Sequence, residues 1–261
     1  MFDFHLHSDI SFDSVCPAKE ILAAAEQRGL KEICFTDHYE YNDVKDLPHD
    51  LFSLERYAEV YGPLSSDTVK IRRGVEFGMT HWNKEEFRAL NERMHFDFVI
   101  GSVHCAGGSD PYFKEYWDGI TPEEGFRKYL LQTLKCVKLH DEFDVLGHIN
   151  YACKSEYNPT KKPLYYEDYP ELCDEIMRIL VQKGKGMEIN TSGMDRVGEF
   201  LPSITYLKRF KELGGEIVTI GSDAHNAERV GQYAKEALDV LREVFGYVCT
   251  FENRTPIFHK L

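Results

Sequence analysis

The stretch Phe2-Asp3-Phe4-His5-Leu6-His7-Ser8 alternates apolar with polar side chains. A period of two is typical of a β-strand, on which side chains at positions i and i+2 point to the same face. We therefore expect His5 and His7 to project together from the end of a first strand. Two imidazoles on one face make half of a metal site, although two ordinary polar residues on a half-exposed strand have the same pattern.

Strand-like and helix-like segments alternate along all 261 residues. Strands are predicted at residues 2–6, 31–36, 69–77, 96–101, 143–147, 186–190 and 216–221, with a short last strand at 247–251. Helices are predicted at residues 17–29, 54–61, 84–93, 121–140, 169–183, 203–213 and 226–245. Alternation of this kind predicts parallel strands joined by helices, in a single α/β domain over residues 1–261.

Two architectures fit a chain of about seven β–α units: a closed barrel and an open, doubly wound sheet. No G-x-G-x-x-G follows the first strand, so the sequence does not support a dinucleotide site. Polar residues cluster instead at the carboxyl ends of the predicted strands. This favours a barrel of the TIM type, because ligand and catalytic groups collect on that face of such barrels.

Every predicted strand end contributes His, Asp or Glu. His5 and His7 are followed by Asp13, and the later strand ends contribute Asp37, His38, Glu76, His104, His148, Glu188, Asn190, Asp223 and His225. Six of the eleven histidines belong to this set. The others, His49, His81, His95, His140 and His259, are predicted to be structural or solvated. Because chance would spread histidines over the helices as well, the joint pattern predicts a metal site.

About nine nitrogen and oxygen ligands are too many for one ion, because Zn²⁺ takes about four ligands and Mn²⁺ or Fe²⁺ about six. With a bridging carboxylate and water, such a set suits two or three divalent ions. No cysteine belongs to the set, which fits Zn, Mn or Fe.

Charge and cysteine usage limit the partners and the compartment. The formal net charge of −13 argues against binding to long nucleic acid, although a small anionic substrate is compatible with it where bound cations invert the local field. The seven cysteines are scattered and form no C-x-x-C, which is typical of free thiols in a reducing compartment. No apolar run is long enough to span a membrane and the first residues are polar, so we expect a cytoplasmic protein that binds no membrane.

The ordered motifs resemble those of the PHP (polymerase and histidinol phosphatase) family. They are His5-x-His7, Thr36-Asp37-His38, Glu76, Gly101-Ser102-Val103-His104, Gly147-His148 and Ser222-Asp223-Ala224-His225. The length, the segment Glu188-Ile189-Asn190-Thr191-Ser192-Gly193 and the loop around Tyr112 to Trp117 are similar to the stand-alone histidinol-phosphatase-like branch. The resemblance implies a distorted (β/α)7 barrel, which agrees with the units counted above.

The resemblance also implies three metal ions. One would be held by His5, His7, Glu76 and Asp223, the second by Asp13, His38 and His225, and the third by Glu76 (bridging), His104 and His148. The position of Asp13 is His in some members of the family, a difference that bears on metal preference. The branch also tends to hold phosphate with an arginine six residues after the fifth-strand histidine, where this chain has Lys154; lysine keeps the charge but loses the bidentate fork. Arg196 matches the other phosphate-binding arginine, and Arg229 could serve in place of the missing one.

The activity implied is hydrolysis of a small phosphorylated metabolite: L-histidinol phosphate and water give L-histidinol and phosphate, a step of histidine biosynthesis. Metal ions lower the pKa of bound water from ~15.7 toward ~7, so we expect a bridging hydroxide to attack phosphorus in line with the leaving alkoxide. Asp223 or His225 is the candidate acid. Glu188 and Asn190 are predicted to contact the substrate or to orient metal ligands, and Asp37, which is next to His38, is predicted to orient a ligand imidazole. Residues 105–120, with Tyr116, are predicted to form an irregular loop that covers the substrate.

Three alternatives remain open at this point. Other members of the family act on phosphodiesters, so another small phosphate or a short nucleotide is a possible substrate. An amidohydrolase-type barrel usually needs a lysine at a strand end, whereas Lys31 and Lys70 begin strands here. A barrel that binds metal without catalysis is opposed by the complete set of ligands. The sequence does not indicate the oligomeric state.

Overall fold

The computed structural model describes residues 1–261 and consists of alternating strands and helices. The strands are β1 Phe2–Leu6, β2 Glu32–Phe35, β3 His38–Glu40, β4 Asp50–Leu51, β5 Lys70–Gly78, β6 Phe98–Ser102, β7 Val145–Leu146, β8 Gly186–Asn190, β9 Val218–Gly221, β10 Tyr247–Glu252 and β11 Thr255–Lys260. The helices are α1 Ala18–Gln27, α2 Leu54–Tyr61, α3 Lys84–Arg93, α4 Lys114–Trp117, α5 Pro122–Leu139, α6 Pro170–Gln182, α7 Met194–Val197, α8 Ile204–Glu212 and α9 Ala234–Val244. Short 3-10 turns lie at Tyr151–Lys154, Tyr166–Asp168, Thr191–Gly193 and Ala227–Arg229.

The sheet is parallel in the order β1-β2-β5-β6-β7-β8-β9 and curls until its two edge strands meet. The edges join through a parallel bridge between Leu6 and Ala224. On either side of it, the amide of His7 donates to the carbonyl of Ala224 and the amide of Asp223 donates to the carbonyl of His5, both at 2.9 Å. The predicted single-domain α/β barrel is therefore confirmed, with an irregular closure.

Local sequence signals explain where the helices begin and which faces they bury. Thr121 caps α5 in a capping box with Glu124, and Pro122 occupies the first turn, where its missing N–H costs nothing. On α6, the buried residues Cys173, Ile176, Met177 and Leu180 recur at helical spacing and pack against the sheet. No helix of the structure combines the length and the apolar character needed to cross a membrane.

The strands β10 and β11 form an antiparallel hairpin at the amino-terminal end of the barrel. Its turn residues Asn253 and Arg254 have φ values of 49° and 62°, as a two-residue hairpin turn requires. The Arg254 guanidinium donates to Asp144, the residue before β7, and to Asn91, in the last turn of α3. These two contacts attach the hairpin to the barrel. The sequence predicted only one short strand here, because Pro256 and the absence of glycine in the turn obscure the second.

Two further segments differ from their predicted forms. Residues 105–120 are not wholly irregular, because they contain α4. No strand is predicted between residues 36 and 69, but residues 38–40 form β3, which pairs in parallel with β5. A strand of three residues is too short to produce a recognisable period in sequence.

Candidate metal centre

The structure brings all nine predicted metal ligands to the carboxyl-end face of the barrel, around the carboxylate of Glu76 on β5. Glu76 is fully buried. Its Oε2 lies 3.1 Å from His5 Nε2, 3.5 Å from His7 Nε2 and 3.0 Å from His38 Nδ1. Three strands, β2, β5 and β6, lie between β1, which carries His5, and β7, which precedes His148, so only a curled sheet can place both rings around one carboxylate.

The other oxygen of Glu76 faces the ligands from β6 and β7. Its Oε1 lies 2.9 Å from His148 Nε2 and 3.4 Å from His104 Nε2. The two imidazole nitrogens are 3.5 Å apart. Glu76 therefore bridges two groups of histidines, as a carboxylate shared between ions would.

Asp223, His225 and Asp13 complete the centre on the side of β9. Asp223 Oδ1 lies 3.5 Å from His7 Nε2. Asp13 Oδ2 lies 3.0 Å from His225 Nε2 and 3.5 Å from His38 Nε2. The aspartate, although 37% exposed, thus belongs to the cluster as predicted from its spacing after the first strand.

Several buried atoms of the centre have no hydrogen-bond partner. They are His5 Nε2, His7 Nε2, His38 Nδ1 and Glu76 Oε2, which face one another, and His148 Nδ1, the ring nitrogen away from Glu76. Buried polar atoms without partners are costly and uncommon, so four of them facing one another need an occupant. Ligand atoms lie within 4.8 Å of one another in the groups His5–Glu76–His148, His5–His7–Asp223 and His7–His38–His225. Imidazole nitrogens and carboxylate oxygens are donors that Zn²⁺, Mn²⁺ and Fe²⁺ accept, so these residues fit divalent ions.

A second layer of side chains fixes the ring nitrogens that face away from the centre. Glu188 Oε1 lies 2.6 Å from His5 Nδ1, and its Oε2 accepts the amide N–H of His148 at 3.1 Å. Asn190 Nδ2 lies 3.2 Å from the same Oε2. Such contacts hold a ligating imidazole in one tautomer and orientation. Glu188 and Asn190 are buried beneath the ligands and do not line the cavity, so of their two predicted roles the structure favours orientation of the ligands and not contact with the substrate.

Asp37 also acts from this second layer, and the ligand imidazole that it contacts through one intervening residue is that of His7. Its Oδ1 accepts from the Ser11 hydroxyl at 2.9 Å, and that hydroxyl lies 3.0 Å from His7 Nδ1. Tyr61 donates to the other carboxylate oxygen. Asp37 therefore orients His7 through Ser11, rather than His38, because its side chain points back toward the loop after β1.

Glu40 contacts a ligand directly and is not among the predicted site residues. Glu40 Oε2 lies 2.9 Å from His104 Nδ1. His38, Glu40 and His104 also bring ligand atoms within 4.8 Å of one another. Glu40 follows His38 at i+2, the same signal as the His5 and His7 pair, but no strand is predicted at these positions to place the two side chains on one face.

The electrostatics of the centre depend on its neighbours, because burial alone disfavours every charged form. The pKa of His5 is raised well above its usual value, since the carboxylates of Glu188 and Glu76 outweigh burial. Burial and the imidazole of His225 lower the pKa of His7. Burial would raise the pKa of Glu76, but the charge on His5 outweighs it and holds the pKa well below the usual range. Ligands of this kind must give up protons when a cation binds, so metal affinity rises with pH.

A cavity of about 850 Å³ opens above the centre. Three cationic side chains line it: Lys154, Arg196 and Arg229. Lys154 Nζ lies 2.5 Å from Asp223 Oδ2, and Arg196 donates to the Tyr112 hydroxyl at 3.2 Å. The predicted phosphate-binding residues thus face the same space as the metal ligands.

Tyr116 lies outside this cavity. Its hydroxyl donates to the carbonyl of Gly125 at 2.6 Å, and the side chain is 2% exposed. Trp117 is likewise buried, with its indole N–H donating to Pro111. Tyr116 is therefore a core residue and not a substrate contact. Of the aromatic loop, Tyr112 and Phe113 line the cavity instead.

Acidic side chains also line the cavity. Apart from the predicted metal ligands, they include Glu40, Asp110 and Glu115. Burial raises the pKa of Asp110 to about 6, although its carboxylate accepts hydrogen bonds from the Tyr112 amide and the Tyr151 hydroxyl. The cavity therefore presents both cationic and anionic side chains above one metal centre.

The model of the PHP domain matches residues 3–192. This chain belongs to the PHP domain family. The match confirms the family that the motifs indicated, and it begins with the strand that carries His5 and His7.

Other PHP proteins similar to this chain are named as histidinol phosphatases. A probable histidinol-phosphatase of Clostridium acetobutylicum is 33% identical over 256 residues, which cover 97% of this chain and 98% of the relative. A histidinol-phosphatase of Lactococcus lactis subsp. lactis is 34% identical over 236 residues, covering 87% and 85%. The crystal structure of histidinol phosphate phosphatase from Lactococcus lactis, complexed with Zn, L-histidinol and phosphate, superposes with a TM-score of 0.88 at 31% identity and covers 98% of both chains.

Proposed function

We propose that this chain is a metal-dependent phosphomonoester hydrolase that converts L-histidinol phosphate and water to L-histidinol and phosphate. The observation that carries the proposal is the position of nine clustered metal ligands directly beneath a cavity with three cationic side chains. The names of the relatives in C. acetobutylicum and L. lactis, and the L-histidinol and phosphate in the L. lactis crystal structure, support the same substrate.

The metal ligands are proposed to hold two or three divalent ions of the Zn, Mn or Fe kind. The unpartnered buried atoms support this, as does the Zn of the L. lactis structure. When bound, such ions supply water of low pKa at neutral pH and neutralise charge on a phosphate. The chain's own part is to hold the ligands rigidly, which the contacts of Glu188, Glu40 and Ser11 to the outer ring nitrogens do.

Lys154, Arg196 and Arg229 are proposed to bind the phosphate oxygens. Lys154 is 16% exposed and paired with Asp223, so it is already directed at the space above the centre. Lysine binds phosphate as a point charge, whereas the guanidinium groups of Arg196 and Arg229 can each contact two oxygens. With the substrate in place, these cations fix the phosphorus over the ligands of the centre.

The leaving alkoxide needs a proton, and of the two candidates, Asp223 and His225, the proposed donor is His225. Burial would raise the pKa of Asp223, but Lys154 and His5 outweigh it and hold that pKa well below its usual range, so this carboxylate has no proton to give. The His225 side chain is 26% exposed, whereas those of His5 and His7 are 0% exposed, so His225 is more accessible to a substrate in the cavity. Its Nε2 lies 3.0 Å from Asp13 Oδ2, which holds the ring toward the cavity. Proton donation from such a group contributes typically 10²–10⁴-fold to the rate, as an order of magnitude.

The acidic side chains of the cavity fit the other half of the proposed substrate. L-histidinol carries an ammonium group and an imidazole, both of which favour anionic neighbours. Glu40, Asp110 and Glu115 line the same cavity as the proposed phosphate-binding residues and supply such neighbours.

Six of the seven free cysteines are buried and the seventh is partly buried, which suits a reducing compartment, and we propose that the reaction takes place in the cytoplasm.

The test is a screen of phosphorylated metabolites on protein whose metal content is measured in the same sample. The panel contains L-histidinol phosphate, phosphate esters of uncharged alcohols such as glycerol phosphate, and a nucleotide. A kcat/KM for L-histidinol phosphate at least about 100-fold above the others, ~2.7 kcal/mol, is the expected result. Equal rates across the panel would contradict the substrate, and absence of hydrolysis in metal-loaded protein would contradict the proposed function.

A further inference from the structure

The barrel closes through a short contact that coincides with the metal centre. We define the seam as the contact between β1 and residues 222–231. Between β8 and β9 four residue pairs are in register, from Met187–Val218 to Asn190–Gly221, whereas the seam has a single bridge. Metal ligands lie on both of its sides, His5 and His7 on one and Asp223 and His225 on the other. The backbone hydrogen bonds of the seam alone therefore do little to fix the distance between these two pairs of ligands.

A buried carboxylate at the start of the chain holds both ends of this segment. Asp3 Oδ1 accepts the amide N–H of Ser222 at 2.8 Å, and Asp3 Oδ2 accepts that of Gly231 at 2.7 Å. The carboxylate is fully buried. The two ends of the segment are thus fixed to β1, but its middle, which contains Arg229, extends beyond the reach of Asp3.

Three main-chain carbonyls in the middle of the segment are held by one exposed arginine. Two further contacts lie beside it: the Ser14 hydroxyl donates to the carbonyl of His225 at 2.9 Å, and Arg229 Nη1 lies 2.8 Å from Asp195 Oδ2. Arg28, the residue that ends α1, donates through Nη1 to the carbonyls of Ala227 at 2.6 Å and Val230 at 3.0 Å, and through Nη2 to that of Glu228 at 2.7 Å. No carboxylate pairs with it. An arginine has a planar group with several fixed donors, so three carbonyls at set positions suit it and not lysine.

We propose that Arg28 is a positioning residue for the metal centre, which holds residues 222–231 against α1 so that Asp223 and His225 keep their distance from His5 and His7. The inference rests on the proposed metal centre but not on the identity of the substrate. Because the side chain is exposed and its partners are main-chain carbonyls, its removal leaves no buried charge unpaired and opens no cavity in the core.

The experiment compares Arg28→Ala, Arg28→Lys and the wild type, with Arg88→Ala on α3 as a matched control. Arg88 is an exposed helix arginine paired only with Glu92 of the same helix. Chelated protein is titrated with Zn²⁺ and, separately, Mn²⁺, and bound metal is measured directly after equilibrium dialysis. Kinetics with L-histidinol phosphate are then recorded at saturating metal.

The expected result is that Arg28→Ala raises the free metal concentration for half-occupancy about tenfold or more, as loss of an outer contact to a metal site does. Arg28→Lys should lie between Arg28→Ala and the wild type, and Arg88→Ala should match the wild type. At saturating metal, kcat for Arg28→Ala should recover to within about threefold of the wild type, because the ligands themselves are intact.

Unchanged half-occupancy in both Arg28 variants would overturn the proposal, even if their melting temperatures fell, because a purely structural contact changes stability alone. If Arg28→Ala fails to fold, the Arg28→Lys titration decides by the same criterion. A wild type that binds metal but does not hydrolyse L-histidinol phosphate would contradict the proposed function and leave this test intact. A wild type that binds no metal would overturn the centre and this proposal with it.

Discussion

The two ends of the barrel both bury charged groups, but only one end pairs them internally. At the amino-terminal end, Arg72 Nε donates to Glu32 at 2.6 Å and its Nη1 lies 2.8 Å from Glu252. Arg254 there binds Asp144 at 2.6 Å. One guanidinium nitrogen of Arg72 is the exception without a partner. At this end the buried arginines and carboxylates therefore neutralise one another, and their pairs connect the hairpin to the barrel.

At the carboxyl-terminal end, carboxylates and imidazoles crowd together around Glu76, and five of their buried atoms lack hydrogen-bond partners. Arginine, the residue best suited to pair with a carboxylate, is absent from the contacts of Glu76. Buried charges therefore have two roles in this barrel. Charges that are almost completely paired hold the fold together, and charges that lack partners mark a site that cations from solution complete.

The largest difference between the ends is expected when the central carboxylate of each is neutralised. Glu76→Gln should reduce kcat/KM for L-histidinol phosphate by at least about 10³-fold, ~4 kcal/mol, because a neutral amide then replaces the carboxylate that lies between the two sets of ligands. Steady-state kinetics with metal content measured on the same sample checks this. Glu32→Gln at the opposite end is the matched control and should keep kcat/KM within about threefold. A Glu76→Gln enzyme within tenfold of the wild type would contradict the assignment.

A smaller loss is expected when the second layer is altered. Glu40→Gln should weaken metal binding about 10–100-fold, because the carboxylate no longer orients His104. Gly78→Ala tests the same contact sterically, since an added Cβ would lie 2.2 Å from Glu40 Oε1 and must displace it. Metal titration followed by dialysis is the measurement. If Gly78→Ala weakened binding and Glu40→Gln did not, crowding rather than the carboxylate would be responsible.

The smallest effect on catalysis is expected from a substitution at the amino-terminal end of the barrel, where the effect on stability is large. Arg254→Ala leaves Asp144 buried without its cation, and burial already raises the pKa of that carboxyl. Removing one partner of such a pair costs about 3 kcal/mol, a fall in Tm of roughly 6–12 °C for a domain of this size. Thermal unfolding and kcat at 25 °C are measured on the same sample, with Arg88→Ala as control. A loss of kcat without a loss of Tm would show that the two ends are not separable.

The sequence predicted the barrel and its ligand set because both depend on local patterns that the topology then gathers. Strand alternation identified β1, and each ligand followed a strand end, so a closed parallel sheet was enough to bring His5, Glu76 and His148 together. No distance had to be known for that inference, since the carboxyl ends of such strands share one face.

What the sequence did not predict depends on contacts between distant segments. Tyr116 resembles a lid residue in sequence, but its hydroxyl finds the carbonyl of Gly125 in the core. Asp37 lies beside His38 in sequence, yet it reaches His7 through Ser11. The hairpin and the three carbonyls bound by Arg28 are likewise set by tertiary geometry, which residue type and spacing do not encode.

Divalent cations are proposed to complete the cluster around Glu76 at the carboxyl-terminal end of the barrel. The metal content of purified protein tests this, with activity followed through chelation and reconstitution by Zn²⁺, Mn²⁺ or Fe²⁺. We expect two or three ions per chain, loss of hydrolysis of L-histidinol phosphate on chelation, and recovery when metal is returned. Full activity in chelated protein that contains less than one ion per ten chains would contradict it.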